Sequence, residues 1–149
     1  MVAELEQIAY DDNGGFIAEY INDVNGLWHF HPEYEIVLNI KSNGTRIIGD
    51  NVELFDQYDL VLIGGRIPHS WNYYKSEKGL PEEHGIIVHF KLSSLGDALL
   101  AQHELHCVRV LLEKAERGIA FSVEDARKAE KYLVQMITDS GIDKMIDFF

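Results

Sequence analysis

The sequence predicts a small β sandwich or barrel followed by an antiparallel pair of helices, and three observations predict it. Up to Lys91 the chain is rich in β-branched and aromatic residues, with turn signals about every eight to twelve residues. No helical stretch separates the short extended runs, as a parallel α/β sheet requires. After Ser94 the apolar residues recur instead at spacings of three and four.

The extended runs are FIAEY (16–20), LWHFH (27–31), EYEIVLNI (33–40), TRIIGD (45–50), DLVLIGG (59–65) and GIIVHFKL (85–92). Between them lie Asn13-Gly14-Gly15, Asn25-Gly26, Ser42-Asn43-Gly44, Gly49-Asp50-Asn51, Gly64-Gly65 and Gly79-Leu80-Pro81, whose Gly and Asn residues accept turn conformations. In the stretch from Glu104 to Arg117, Leu105, Val108, Leu111, Leu112 and Ala115 form an apolar stripe, and Gly118 is placed to cap it. Ser122 followed by Asp125 resembles a capping box and opens a second helix, with Ala126, Ala129, Leu133, Met136 and Ile137 on one face. The segment IDKMIDFF closes the chain. Two helices of about fourteen to eighteen residues, joined by a short glycine-containing turn, read as a hairpin. The expected division is a β unit over 1–92 and a helical region over 93–149.

A chain of 149 residues fits one compact domain. Thirteen Lys and Arg against 25 Asp and Glu leave a net charge of −12. Such a surface repels a phosphate backbone, so direct nucleic-acid contact is excluded, as is attraction to an anionic membrane surface. Cys107 is the single cysteine, which rules out an intramolecular disulfide, and its apolar neighbours predict a core filler. The start MVAELEQIAY has neither the basic region nor the apolar stretch of a signal peptide. No apolar run approaches the roughly 18 residues of a membrane span. The expected location is the cytoplasm.

The chemistry concentrates in Trp28-His29-Phe30-His31-Pro32-Glu33-Tyr34-Glu35. His29 and His31, two apart on an extended strand, share a face. Pro32 suits an edge or bend, after which Glu35 returns toward the same space. Arg66-Ile67-Pro68-His69-Ser70-Trp71 brings a third histidine after the strand from Asp59 to Ile63. Three imidazoles and a carboxylate suit a divalent metal such as Mn, Fe, Ni or Zn. Other roles for the same residues are structural: Glu35 paired with Arg46, His69 pinning a turn, and Trp28, Phe30, Trp71, Tyr73 and Tyr74 as core or rim aromatics. Arg46 and Arg66 suit either an anionic ligand or a surface ion pair. His89, on an apolar strand, reads as a core histidine, and the spacing of His84, His103 and His106 suggests no site. Glu82 and Glu83 read as a solvated loop.

HxHxxxE, then a glycine turn, a strand and Pro-His, resembles the two motifs of the cupin superfamily. That resemblance implies a jelly-roll-like barrel with His29, His31, Glu35 and His69 as metal ligands. The second motif usually carries an Asn four residues after its His, where this chain has Tyr73. Over roughly 16–149, and most closely in the run from Trp28 to Trp71, the chain is similar to the N-terminal sensor domain of AraC-type bacterial transcription regulators. This resemblance implies a small-molecule effector, a sugar or related metabolite, held by His29, His31, Glu35, His69, Trp28, Arg46 and Trp71. It also implies a homodimer through the C-terminal helices, DNA contact only through helix-turn-helix units following Phe149, and no catalytic residue. The alternative is a stand-alone metal-dependent cupin enzyme of isomerase or dioxygenase type.

Overall fold

The computed structural model describes residues 2–10, 14–22, 26–74 and 84–149. The turn at 79–81 and the acidic pair Glu82-Glu83 lie outside them. Among the described residues, ten strands form two five-stranded sheets. They are β1 (Glu4–Leu5), β2 (Phe16–Ile21), β3 (His29–Phe30), β4 (Tyr34–Asn39), β5 (Gly44–Ile48), β6 (Asn51–Phe55), β7 (Asp59–Ile63), β8 (His69–Tyr73), β9 (Gly85–Phe90) and β10 (Ile119–Ala120). The helices are α1 (Leu92–Leu95), α2 (Asp97–Leu100), α3 (His106–Ala115), α4 (Val123–Thr138) and α5 (Gly141–Phe148).

Sheet I runs β1-β3-β8-β5-β6 and sheet II runs β10-β7-β4-β9-β2. Alternation along β4 and β7 explains why sheet II is buried on both faces. Val37, Val61 and Ile63 point toward sheet I and pack with Phe55 and Trp71. Leu38, Leu60, Ile86 and Val88 point the other way, onto Ala126, Leu133 and Met136 of α4. A third cluster joins Leu62 and Phe90 to Leu95, Leu100, Leu112 and Ala115 of α1–α3. Each fully buried Leu or Met in these clusters contributes about 1.5–3 kcal/mol of transfer free energy.

The mainly-β architecture with C-terminal helices is the expected one, and several elements differ in detail. The β6 segment NVELF and β8 segment HSWNY are strands that the turn spacing alone does not resolve. Helix α3 spans 10 residues, shorter than expected, because a 3-10 turn at His103–Leu105 replaces its first turn. Gly118 does adopt a left-handed φ of 72° just beyond it, and Ser122 Oγ does accept from the Asp125 amide at 3.1 Å to cap α4. The helical hairpin is looser than expected. Between α3 and α4 the chain adds β10 to the edge of β7, α4 packs on α5, and an apolar cavity of about 530 Å³ lies among Leu111, Leu133 and Phe148. Cys107 is exposed and not a core filler, since Leu112 and Ala115 define the buried stripe and Cys107 falls outside it. No helix among the described residues is long and apolar enough to cross a membrane.

Candidate metal centre

Register builds the site. His29 of β3 is the direct antiparallel partner of His69 on β8, so their side chains leave the same face and the rings approach to 4.3 Å. Glu35 points inward from β4, alternating with Ile36 and Leu38, which face the helices. His31 sits in the link between β3 and β4, which is fixed from behind by a close backbone approach. A Cβ on Gly65 would stand 2.2 Å from the Pro32 carbonyl oxygen, so only glycine allows the 64–66 turn to lie there. The next residue, Arg66, holds φ at 69° and donates its amide to the His31 carbonyl at 2.6 Å. Strain of this kind, of order 1–3 kcal/mol, concentrates at functional positions.

The result is one convergent group. One ligand atom from each of His29, His31, Glu35 and His69 lies within 4.8 Å of the others. His31, Glu35 and His69 are buried, and His29 is half-buried. Each histidine spends Nδ1 on a main-chain carbonyl two residues away: His29 on Leu27 at 2.7 Å, His31 on Glu33 at 3.2 Å and His69 on Ile67 at 2.7 Å. With Nδ1–H donated to the main chain, Nε2 is the remaining ring position of each. It either carries a second proton toward a carboxylate or offers its lone pair to a cation. Backbone carbonyls on the far nitrogen are the usual support of metal-bound imidazoles.

Around Glu35 the contacts are dense on one oxygen and missing on the other. Oε2 lies 2.8 Å from His31 Nε2, 2.9 Å from His89 Nε2 and 3.3 Å from His69 Nε2. The last is an ion-pair distance without hydrogen-bond alignment, so among the described residues His69 Nε2 has no hydrogen-bond partner, and neither does Glu35 Oε1. Two orphaned polar atoms in a buried cluster of metal-ligand chemistry are what a divalent cation would satisfy. The residues present therefore fit a metal such as Zn, Ni, Mn or Fe.

The electrostatics agree. Burial alone pushes the Glu35 carboxyl up, but contacts with His31, His69 and His89 outweigh it and hold it well below the usual range. Burial pushes His69 down, and Glu35 reverses this to leave it raised. His29, farther from that carboxylate, is lowered by burial despite the Leu27 carbonyl.

The remaining predicted site residues divide. Trp71 is buried, its ring 5.6 Å from His69, with an indole N–H lacking a hydrogen-bond partner. Trp28 is half-buried, and among the described residues no ring contact ties it to the four. Arg46 is buried but already engaged: its guanidinium binds Asp59 at 3.1 Å and Glu53 at 2.6 Å. The alternative pairing of Arg46 with Glu35 is thus not the one adopted. The Asp59 carboxyl is raised by burial, with Arg46 opposing, while Arg46 lowers the exposed Glu53. Two site residues were not assigned from sequence. His89 donates to Glu35, and Glu6, before β3 in sequence, reaches His29 Nε2 at 3.1 Å because β1 pairs parallel to β3.

Neither a scan against known protein-family models nor a search of curated proteins gives a match to this chain.

Proposed function

We propose that the chain is the effector-sensing and dimerisation module of an AraC-type bacterial transcription regulator, built as a cupin-type barrel. The small molecule, a sugar or related metabolite, binds beside His29, His31, Glu35 and His69 in the cytoplasm. The observation that carries this is the double role of β4. Glu35 enters the site while its neighbour Ile36 and the next outward residue, Leu38, pack among the C-terminal helices. A site one strand away from a helical layer is suited to biasing how those helices pair, by shifting an existing equilibrium.

Exposed Val123, Tyr132, Ile142, Ile146 and Phe149 on or beside α4 and α5 support a partner on that layer, taken as a second copy of the chain. The net charge of −12 supports DNA contact through a separate basic unit. The test is the natural gene past the Phe149 codon. A frame continuing into two helix-turn-helix units is the expected result, and a stop at that codon overturns the proposal.

A second reading, a metal-dependent cupin enzyme, is favoured by the three Nε2 atoms backed by carbonyl-bound Nδ1 atoms. In it His29, His31, Glu35 and His69 would hold the ion, and the chemistry it would supply is Lewis-acid polarisation of a bound substrate. Stoichiometric metal, lost in His31→Ala, together with turnover of a small substrate, would favour it over the sensor.

A further inference from the structure

We infer that His89 is the positioning residue of the metal centre: it donates to the Glu35 carboxylate and fixes how that carboxylate is held beside the ion. This rests on the reading that His29, His31, Glu35 and His69 bind a divalent cation. The strand register makes the arrangement obligatory, because Glu35 and His89 are direct partners in the β4–β9 pair and emerge side by side on the inner face. His89 is 5% exposed, and its Nε2 lies 2.9 Å from Glu35 Oε2. It stands outside the four residues whose ligand atoms converge, yet its ring packs edge-on to His31 at 4.9 Å.

Strand β9 is otherwise apolar here, and an apolar side chain would fill the same volume. What an imidazole adds is an N–H aimed at a buried carboxylate. When the ion takes the Nε2 lone pairs of His31 and His69, His89 is the partner left to Oε2. Oε1, buried and without a hydrogen-bond partner among the described residues, is then an uncommitted lone-pair donor beside it. A carboxylate with one oxygen engaged by His89 suits small ions that accept imidazole nitrogen, such as Zn²⁺, Co²⁺ or Ni²⁺. It disfavours Ca²⁺, which takes six to eight oxygens and commonly a bidentate carboxylate.

The experiment titrates Co²⁺ alone into wild type, His89→Gln and His89→Leu, reading the visible Co²⁺ spectrum and the melting of each metal-free protein. Gln places an amide N–H near the position of Nε2, so it is expected to keep the wild-type spectrum and affinity within about threefold. Leu is expected to lose about 10–100-fold in affinity, as for other supporting residues of metal ligands, with an altered spectrum. If His89→Leu does not fold, His89→Asn, polar but too short to reach Oε2, replaces it with the same expected loss. A purely structural His89 would lower the metal-free melting temperature and leave the Co²⁺ spectrum and affinity alone, which overturns the inference. Failure of wild type to bind Co²⁺ overturns the underlying metal reading instead.

Discussion

Replacing Glu35 separates its support of the fold from its burden. Its side chain is 1% exposed, and Oε2 receives His31 and His89 at 2.8 and 2.9 Å. A hydrogen bond to a charged group contributes about 1.5–3 kcal/mol net, and a neutral one about 0.5–1.5 kcal/mol. Glu35→Gln keeps an acceptor oxygen, so it loses roughly 1 kcal/mol from each of two bonds, about 2 kcal/mol in all. Glu35→Leu relieves the desolvation of a carboxylate but leaves two imidazole N–H groups facing methyl groups. Breaking a buried pair from one side typically costs about 3–5 kcal/mol. At roughly 2–4 °C per kcal/mol for a domain of this size, Gln should lower the melting temperature by about 4–8 °C and Leu by about twice that. Both are measured by circular dichroism with chelator present, so that only the metal-free protein is compared. A Leu variant more stable than wild type would refute the reasoning, since desolvation would then outweigh the contacts.

Four further outcomes are expected. Zinc at about a hundred times its dissociation constant should stabilise wild type by about 2.7 kcal/mol and His31→Ala not at all, as read from thermal melts with and without chelator. Gly65→Ala, whose Cβ would meet the Pro32 carbonyl at 2.2 Å, should abolish that metal-dependent gain; an unaltered gain would show that the 64–66 turn does not position the site. Met136→Ala, cutting into the α4–sheet II core, should cost about 2–5 kcal/mol in urea unfolding. Ser122→Ala should cost about 1 kcal/mol by the same measurement, and no change would deny the Oγ–Asp125 cap a role.

Legibility in the sequence followed physical contrast. EYEIVLNI and DLVLIGG stand out because sheet II is covered on both faces, giving dense apolar runs between glycine turns. NVELF does not, because β6 is an edge strand whose first four residues are exposed and only Phe55 is buried. The 3-10 turn before α3 and the two-residue β10 lie below the length at which periodicity speaks. In the site, HxHxxxE is readable because its members are close in sequence and the short link from β3 to β4 returns Glu35 to the histidines. His89 was not, since in GIIVHFKL both faces are apolar and only the Glu35 register shows which way it points. Glu6 had no signal at all, because a parallel pairing of two residues brings it to His29. The misreading of Cys107 came from composition alone: its neighbours are apolar, but its angle around α3 faces solvent.

The four candidate ligands are divided between the leaves of the sandwich. His29 and His69 belong to sheet I, Glu35 to sheet II, and His31 to the link between them. An ion held by all four is therefore a reversible rivet through both leaves, closing a loop of about 40 residues between positions 29 and 69. By the chain-entropy account of cross-links, closure of that size is worth about 4 kcal/mol against unfolding. Its removal would let this end of the sandwich breathe while the helices stay anchored through Leu38, Leu133 and Met136 on the far face of sheet II. Amide exchange in β3 and β8 would then report metal supply directly, residue by residue, well before the protein as a whole came apart.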